Sequence, residues 1–283
     1  PVDLVTNRIN VLGSTADGSV GAKYKSPIIA SVPFPLLISS IALSVILKEL
    51  PVPTISSLPL PNCAAVPFLP AIVTKELSDC EYVNEIILID NTSNNTNINI
   101  PKVKHICEGK NTYINPAWNK GVSLSSNEKI CILNDDIWFD WNYLNLISDY
   151  ITNDRGMIGM SNNNYNNPNQ SFSISPIPPN NKSIKGERPL GFACCFFIHK
   201  DNWIYIPEDI KLWAGDDWVF YTNPNINYII DGIKIEGQIS GTLDDISLET
   251  EFNPIKNNDM MCMKKYISEG LIENYLIGTI WDR

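Results

Sequence analysis

Basic side chains are scarce in this chain: Lys and Arg number 21 against 31 Asp and Glu, the formal net charge is -10, and the pI lies near 4.7. A surface that grips nucleic acid needs clustered Lys and Arg to displace counterions from phosphates, so this balance argues against a nucleic-acid partner. Histidine is rarer still, with only His105 and His199. The seven cysteines are an odd number and fall at no metal-ligand spacing. With Cys194 and Cys195 adjacent and the others in apolar contexts, the expectation is reduced, buried thiols in a cytoplasmic protein. No Gly-rich loop carrying Arg or Lys is present to cradle a triphosphate, and there is no internal repeat.

Residues 1–65 differ in kind from the rest, being rich in proline and poor in acids, which suggests an atypical apolar, Pro-rich leader ahead of a domain over 66–283. Within it Ser26 to Leu47 is uncharged, long enough to test as a membrane span, and follows Lys23 and Lys25. Pro27, Pro33 and Pro35 weigh against a span, so membrane association through 26–47 is the lesser option. The plainest reading of this part is an irregular or artefactual leader.

From Phe68 the patterning becomes regular. Phe68, Leu69, Ile72, Val73 and Leu77 recur at near-helical spacing, and Asn84 to Asp90 is an apolar strand ending in a carboxylate. Val103 to Cys107 is a brief strand, and Asn115, with Pro116 behind it, reads as the cap of a helix. Ile130 to Leu133 is a buried strand, Trp141 to Tyr150 a helix, and Met157 to Met160 another short strand. This order describes an α/β fold with a Rossmann-like, mostly parallel sheet flanked by helices. Ser161 to Pro189 loses periodicity and reads as a long functional or mobile loop. Leu190 to Ile198 follows as a central strand, Asp216 and Asp217 stand just ahead of a helix or strand start, Tyr228 to Ile235 is a strand or hairpin, and Met260 to Glu269 a terminal helix.

The stretch with the most chemistry is Lys129-Ile-Cys-Ile-Leu-Asn-Asp-Asp-Ile137. Its apolar run stops at Asn134, Asp135 and Asp136, three oxygen-bearing side chains where the strand would emerge from a sheet. Ligands collect at the carboxyl ends of strands in open α/β sheets, and Mg2+ or Mn2+ wants oxygen ligands with room for substrate phosphates. A metal-nucleotide site follows as the expectation. The competing reading is a surface turn that caps the next helix.

Four motifs occur in order: Glu85-Ile-Ile-Leu-Ile-Asp-Asn91, Asn115-Pro-Ala-Trp-Asn-Lys-Gly121, Ile132-Leu-Asn-Asp-Asp-Ile137 and Gly215-Asp-Asp-Trp218. Together they resemble the family 2 type of nucleotide-sugar glycosyltransferases with the GT-A fold, over about residues 66 to 266. The resemblance implies sugar transfer, with inversion, from a nucleotide-diphosphate sugar to a hydroxyl of a glycan, lipid-linked or protein acceptor, with Mn2+ or Mg2+ as cofactor. By position it implies Asp90 and Asn91 at the base or ribose, and Asn115 and Asn119 shaping the nucleotide pocket. Asn134 or Asp135 would lie near the ribose, with Asp136 on the metal and Gly191 to Cys194 along the donor sugar. Asp216 and Asp217 would stand beside the acceptor, with Asp217 as catalytic base; Trp213 or Trp218 would stack on a sugar ring if not simply packed.

Two family features are expected to be missing. The first strand, with its nucleotide-holding turn, has no counterpart next to Phe68, since Val52-Pro-Thr54 lies too far upstream. The late metal-binding histidine is also absent: His105 and His199 fall within or at the end of strands, where structural roles are expected. The alternatives are a nucleotidyltransferase on the same sheet and a non-catalytic sugar-binding or membrane-tethered relative.

Overall fold

The apolar runs of the chain become the strands of one sheet. The computed structural model describes residues 42–47, 69–91, 98–134, 137–160, 163–166, 171–180, 183–236 and 249–272. The chain divides between Leu36 and Leu37, and every described residue belongs to the second unit. The strands are β1 (Ala42–Leu47), β2 (Val83–Asp90), β3 (Val103–Cys107), β4 (Lys129–Asn134), β5 (Ile158–Met160), β6 (Ser173–Pro176), β7 (Cys195–His199) and β8 (Tyr228–Asp231), and they lie in the order β3-β2-β1-β4-β7-β5-β8-β6. Helices are α1 (Leu69–Asp79), α2 (Ile114–Leu124), α3 (Tyr143–Ser148), α4 (Asn163–Asn166), α5 (Gly215–Thr222) and α6 (Glu249–Ser268).

Period-two alternation sorts the strand side chains into two cores. Ile87, Ile89, Ile130, Ile132, Phe196 and Ile198 face one way and pack with Ala117, Trp118 and Val122 of α2, Val219 and Phe220 of α5, and Met263 and Ile267 of α6. Their neighbours Ile86, Leu88, Cys131, Leu133, Cys195 and Phe197 face the other way, against Val73 and Leu77 of α1 and Leu144 and Ile147 of α3. A strand apolar on both faces needs cover on both, and that requirement makes the three layers. Each such buried side chain contributes roughly 1.5–3 kcal/mol relative to exposure.

The sheet is mixed, where the sequence suggests a mostly parallel one. Two neighbouring pairs, β2–β3 and β5–β8, are parallel, and the other pairings are antiparallel. The strands β2, β3, β4, β5 and β8 still share one direction; β1, β6 and β7 oppose them. The place between β2 and β4 is taken by β1, from the segment read as a leader. Its sequence Ala-Leu-Ser-Val-Ile-Leu is the uncharged run that a strand hemmed between two others requires. Such a strand was not anticipated from the patterning around Phe68, because it lies more than twenty residues upstream.

The segment 161–189 likewise holds more order than its composition suggests. It contributes α4 and the edge strand β6, where Pro176 is tolerated because an edge position needs no second ladder bond. No helix among the described residues is long and apolar enough to cross a membrane. Of the apolar run 26–47, residues 42–47 form β1 and the rest lie outside the described residues.

A close approach packs β5 against Phe192, just ahead of β7. A Cβ on Gly159 of β5 would lie 2.5 Å from the ring of Phe192, which is fully buried. Gly159→Ala is therefore expected to destabilise the fold by about 1–3 kcal/mol, through an overpacked core. Urea denaturation measures it, and an unchanged midpoint would mean that the ring has room to move.

Candidate functional site

Strand direction brings the sequence-predicted residues to one edge. Ala42 of β1 lies opposite Ile89 on one side and Asn134 on the other, so the carboxyl ends of β2 and β4 emerge together. Leu133 of β4 is opposite Cys195, which brings the start of β7, and with it the turn from Gly191, to the same edge. Gly191 opens that turn at φ 77°, and Phe192 packs edge-on against Phe220 of α5 with ring centroids 5.4 Å apart. Asp90, at the end of β2, is buried and lies 3.1 Å from Nε2 of His105 on β3. His105 thus stands against the very carboxylate that the resemblance assigns to the nucleotide. Asn91 accepts from the backbone N–H and the hydroxyl of Thr112, at 3.2 and 2.6 Å.

The start of α2 is tied to the loop before α5. Asn115 is not the cap expected from its sequence position; Tyr113 holds that place, at φ 67° and ψ 173°, and Asn115 sits in the first turn. From there its backbone N–H donates to the Lys211 carbonyl at 3.0 Å, while Nδ2 donates to the carbonyls of Ile210 and Trp213 at 3.2 and 3.1 Å. Gly215 allows this approach, because a Cβ there would collide with Asn115 Oδ1. Asn119, one turn further on, donates to the Ile206 carbonyl at 2.8 Å and accepts from Trp203 Nε1 and the Ile206 N–H, both at 3.1 Å. The Nδ2 groups of both Asn side chains are thus given to the protein's own carbonyls, whereas Asn115 Oδ1 is buried without a partner among the described residues. Trp218 is packed against Tyr266 and donates to the Tyr205 carbonyl, whereas Trp213 is half-buried beneath the Lys256 ammonium.

Asp216 and Asp217 stand in the first turn of α5, where the aligned N–H groups favour negative charge. Their counter-charge is Arg188, a residue that sequence reasoning missed. Its Nε donates to Asp217 Oδ1 at 2.6 Å, its NH1 group lies 2.8 Å from Asp216 Oδ2, and its backbone N–H donates to the Tyr221 hydroxyl at 3.1 Å. Asp217 is only 2% exposed, and its Oδ2 has no hydrogen-bond partner among the described residues.

One guanidinium against two buried carboxylates leaves a net negative charge in a poorly solvated place. Burial accordingly pushes the Asp216 carboxyl up to about 6, against the pull of Arg188 and with the help of Asp217. Burial opposes the charge on Arg188 too, but the two carboxylates outweigh it and hold the guanidinium protonated. The Tyr221 phenol is raised well above its ordinary value, chiefly by burial.

Among the described residues no group of three or more His, Cys, Asp or Glu is arranged to hold a metal. Asp135 and Asp136, the metal-nucleotide candidates, lie outside the described residues. The residues on either side of them are held: the Ile137 N–H donates to the Asn134 carbonyl at 3.3 Å, and Trp138 exchanges two backbone hydrogen bonds of 2.8 Å with Glu236. Trp138 and Trp141 then both donate their indole N–H to Glu76 of α1. No protein-family model, curated protein or solved structure matches the chain.

The raised carboxyl of Asp216 has a signed consequence. Between its ordinary value near 4 and about 6 the folded chain keeps a proton that the unfolded chain has lost, so folding is favoured less as pH rises. The unfolding free energy of the wild type minus that of Asp216→Asn should fall between about pH 4 and pH 6 and level off above. Urea titrations across that range read it; a rising difference would mean that Arg188 outweighs burial.

Proposed function

We propose that the chain is an inverting, metal-dependent glycosyltransferase that moves a sugar from a nucleotide-diphosphate donor to an acceptor hydroxyl. The observation that carries the reading is the state of Asp217: buried, gripped through one oxygen by Arg188, and with its other oxygen unclaimed among the described residues. A general base needs one oxygen within reach of the proton it takes and a support that fixes its orientation. Arg188 supplies the support, and the first turn of α5 supplies a setting that tolerates the charge.

In this reading the site opens to admit the acceptor, whose hydroxyl meets the otherwise buried Asp217 Oδ2 and gives up its proton as its oxygen attacks the anomeric carbon. The bond from that carbon to the diphosphate oxygen breaks on the opposite face, and the configuration inverts. Arg188 keeps Asp217 from turning away, and Asp216 shares the guanidinium. The turn from Gly191 to Cys194 lines the donor sugar, and Asp90 with Asn91 meets the base or ribose. Asn115 and Asn119 act one step back, by holding the loop segments that frame the pocket. A divalent cation bound at Asp136 would neutralise charge on the departing diphosphate.

The test pairs two substitutions. Asp217→Asn should lower sugar transfer by about 10²–10⁴-fold, the usual weight of a general base, while nucleotide sugars still raise the melting temperature. Asp136→Ala should abolish the part of transfer that Mn2+ supports. Transfer at the wild-type rate in Asp217→Asn would overturn the assignment.

A further inference from the structure

Asp259 is fully buried on α6. Its Oδ1 accepts from the Lys211 N–H at 3.1 Å, and its Oδ2 accepts from the N–H groups of Leu212 and Trp213 at 2.8 and 2.9 Å. Three successive backbone donors thus converge on one carboxylate, an arrangement that stabilises a buried anion without a cation beside it. The same loop is gripped from the other side by Asn115, which takes the carbonyls of Ile210 and Trp213. Two further contacts from α6 secure its start: Asn258 Nδ2 donates to the Asp209 carbonyl at 3.0 Å, and the Tyr266 hydroxyl donates to the Asp209 carboxylate at 2.7 Å.

What this clamp delivers is a strained junction. Ala214, between Trp213 and the first residue of α5, sits at φ 60° and ψ 8°, a left-handed conformation disfavoured for a residue with a Cβ. Such strain persists only where the surroundings over-determine it, and it clusters at functional sites. Two residues beyond Ala214 begin the carboxylates that Arg188 holds. A carboxylate that fixes the N–H groups of 211–213 therefore fixes where α5 starts and where Asp217 Oδ2 points.

We infer that Asp259 is a positioning residue for Asp217, acting through the backbone of Lys211 to Trp213. The inference rests on the reading of Asp217 as base. Its test uses the full chain with Mn2+ and UDP-glucose, UDP-N-acetylglucosamine or GDP-mannose, whichever raises the melting temperature. Asp259→Asn, which keeps one acceptor oxygen, should lower kcat about tenfold, and Asp259→Ala about 10²-fold, with donor KM unchanged within about twofold. Amide exchange at 211–213 should quicken in both variants while that of β4 and β7 stays as in wild type.

Met263→Ala, one turn along the same helix and buried in the core, is the control: it should lower the melting temperature with kcat unchanged. Wild-type kcat in Asp259→Asn, unchanged exchange at 211–213, failure of Asp259→Asn to fold, or an equal loss of kcat in Met263→Ala would each overturn the inference. Should Asp217→Asn keep full activity, or none of the three donors be turned over, the reading of the base fails instead. The exchange measurement then still decides whether Asp259 holds the loop.

Discussion

A single guanidinium shared by two buried carboxylates is the constraint around which the candidate site is arranged. Removing charged groups from water costs several kcal/mol per ion unless they are matched, and Arg188 matches Asp216 and Asp217 only in part. The remainder appears as a carboxyl pushed up to about 6 at Asp216 and as one acceptor oxygen at Asp217 with no partner among the described residues. That oxygen is buried, and the charge of its carboxylate is balanced only through the shared guanidinium.

The surroundings of this triad are built to hold backbone rather than to bind ligands directly. Asn115 and Asn119 on α2 and Asp259 on α6 direct polar atoms at the carbonyls and N–H groups of 206 and 210–213, although Asn119 Oδ1 also takes Trp203 Nε1 and Asn115 Oδ1 has no partner among the described residues. The same device recurs elsewhere. Asn227 joins the Met157 N–H to the Phe220 carbonyl, Asn202 takes the carbonyls of Asn153 and Arg155, and Asn164 holds the Ile230 carbonyl. An amide side chain offers donors and an acceptor in one plane, so it can substitute for a strand partner where irregular backbone is buried. The abundance of Asn in this chain, which reads from sequence as loop-forming polarity, is in part the material of these internal staples.

Much of the sheet was legible because its strands are apolar on both faces. Ile86 to Ile89 and Ile130 to Leu133 announce buried strands by composition alone, and the carboxylate or amide that ends each marks the edge where ligands gather. Asp216 and Asp217 were legible as acids at a helix start. Arg188 was not, because it reaches its partners across 29 residues and sits in a segment with no period. Asp259 was hidden for the same reason, its three donors lying 46 to 48 residues away. The antiparallel β1 escaped notice because an uncharged run amid prolines carries the signal of a strand and of a membrane segment equally.

The central claim is that this edge binds a nucleotide-diphosphate sugar together with a divalent cation. Thermal unfolding of the purified chain, titrated with a panel of UDP- and GDP-sugars with and without Mn2+, tests it most directly, since a ligand that binds only the folded state raises its stability. The account predicts that at least one donor raises the melting temperature in a concentration-dependent way, and more so when Mn2+ is present. A melting temperature that no donor moves under either condition would contradict it.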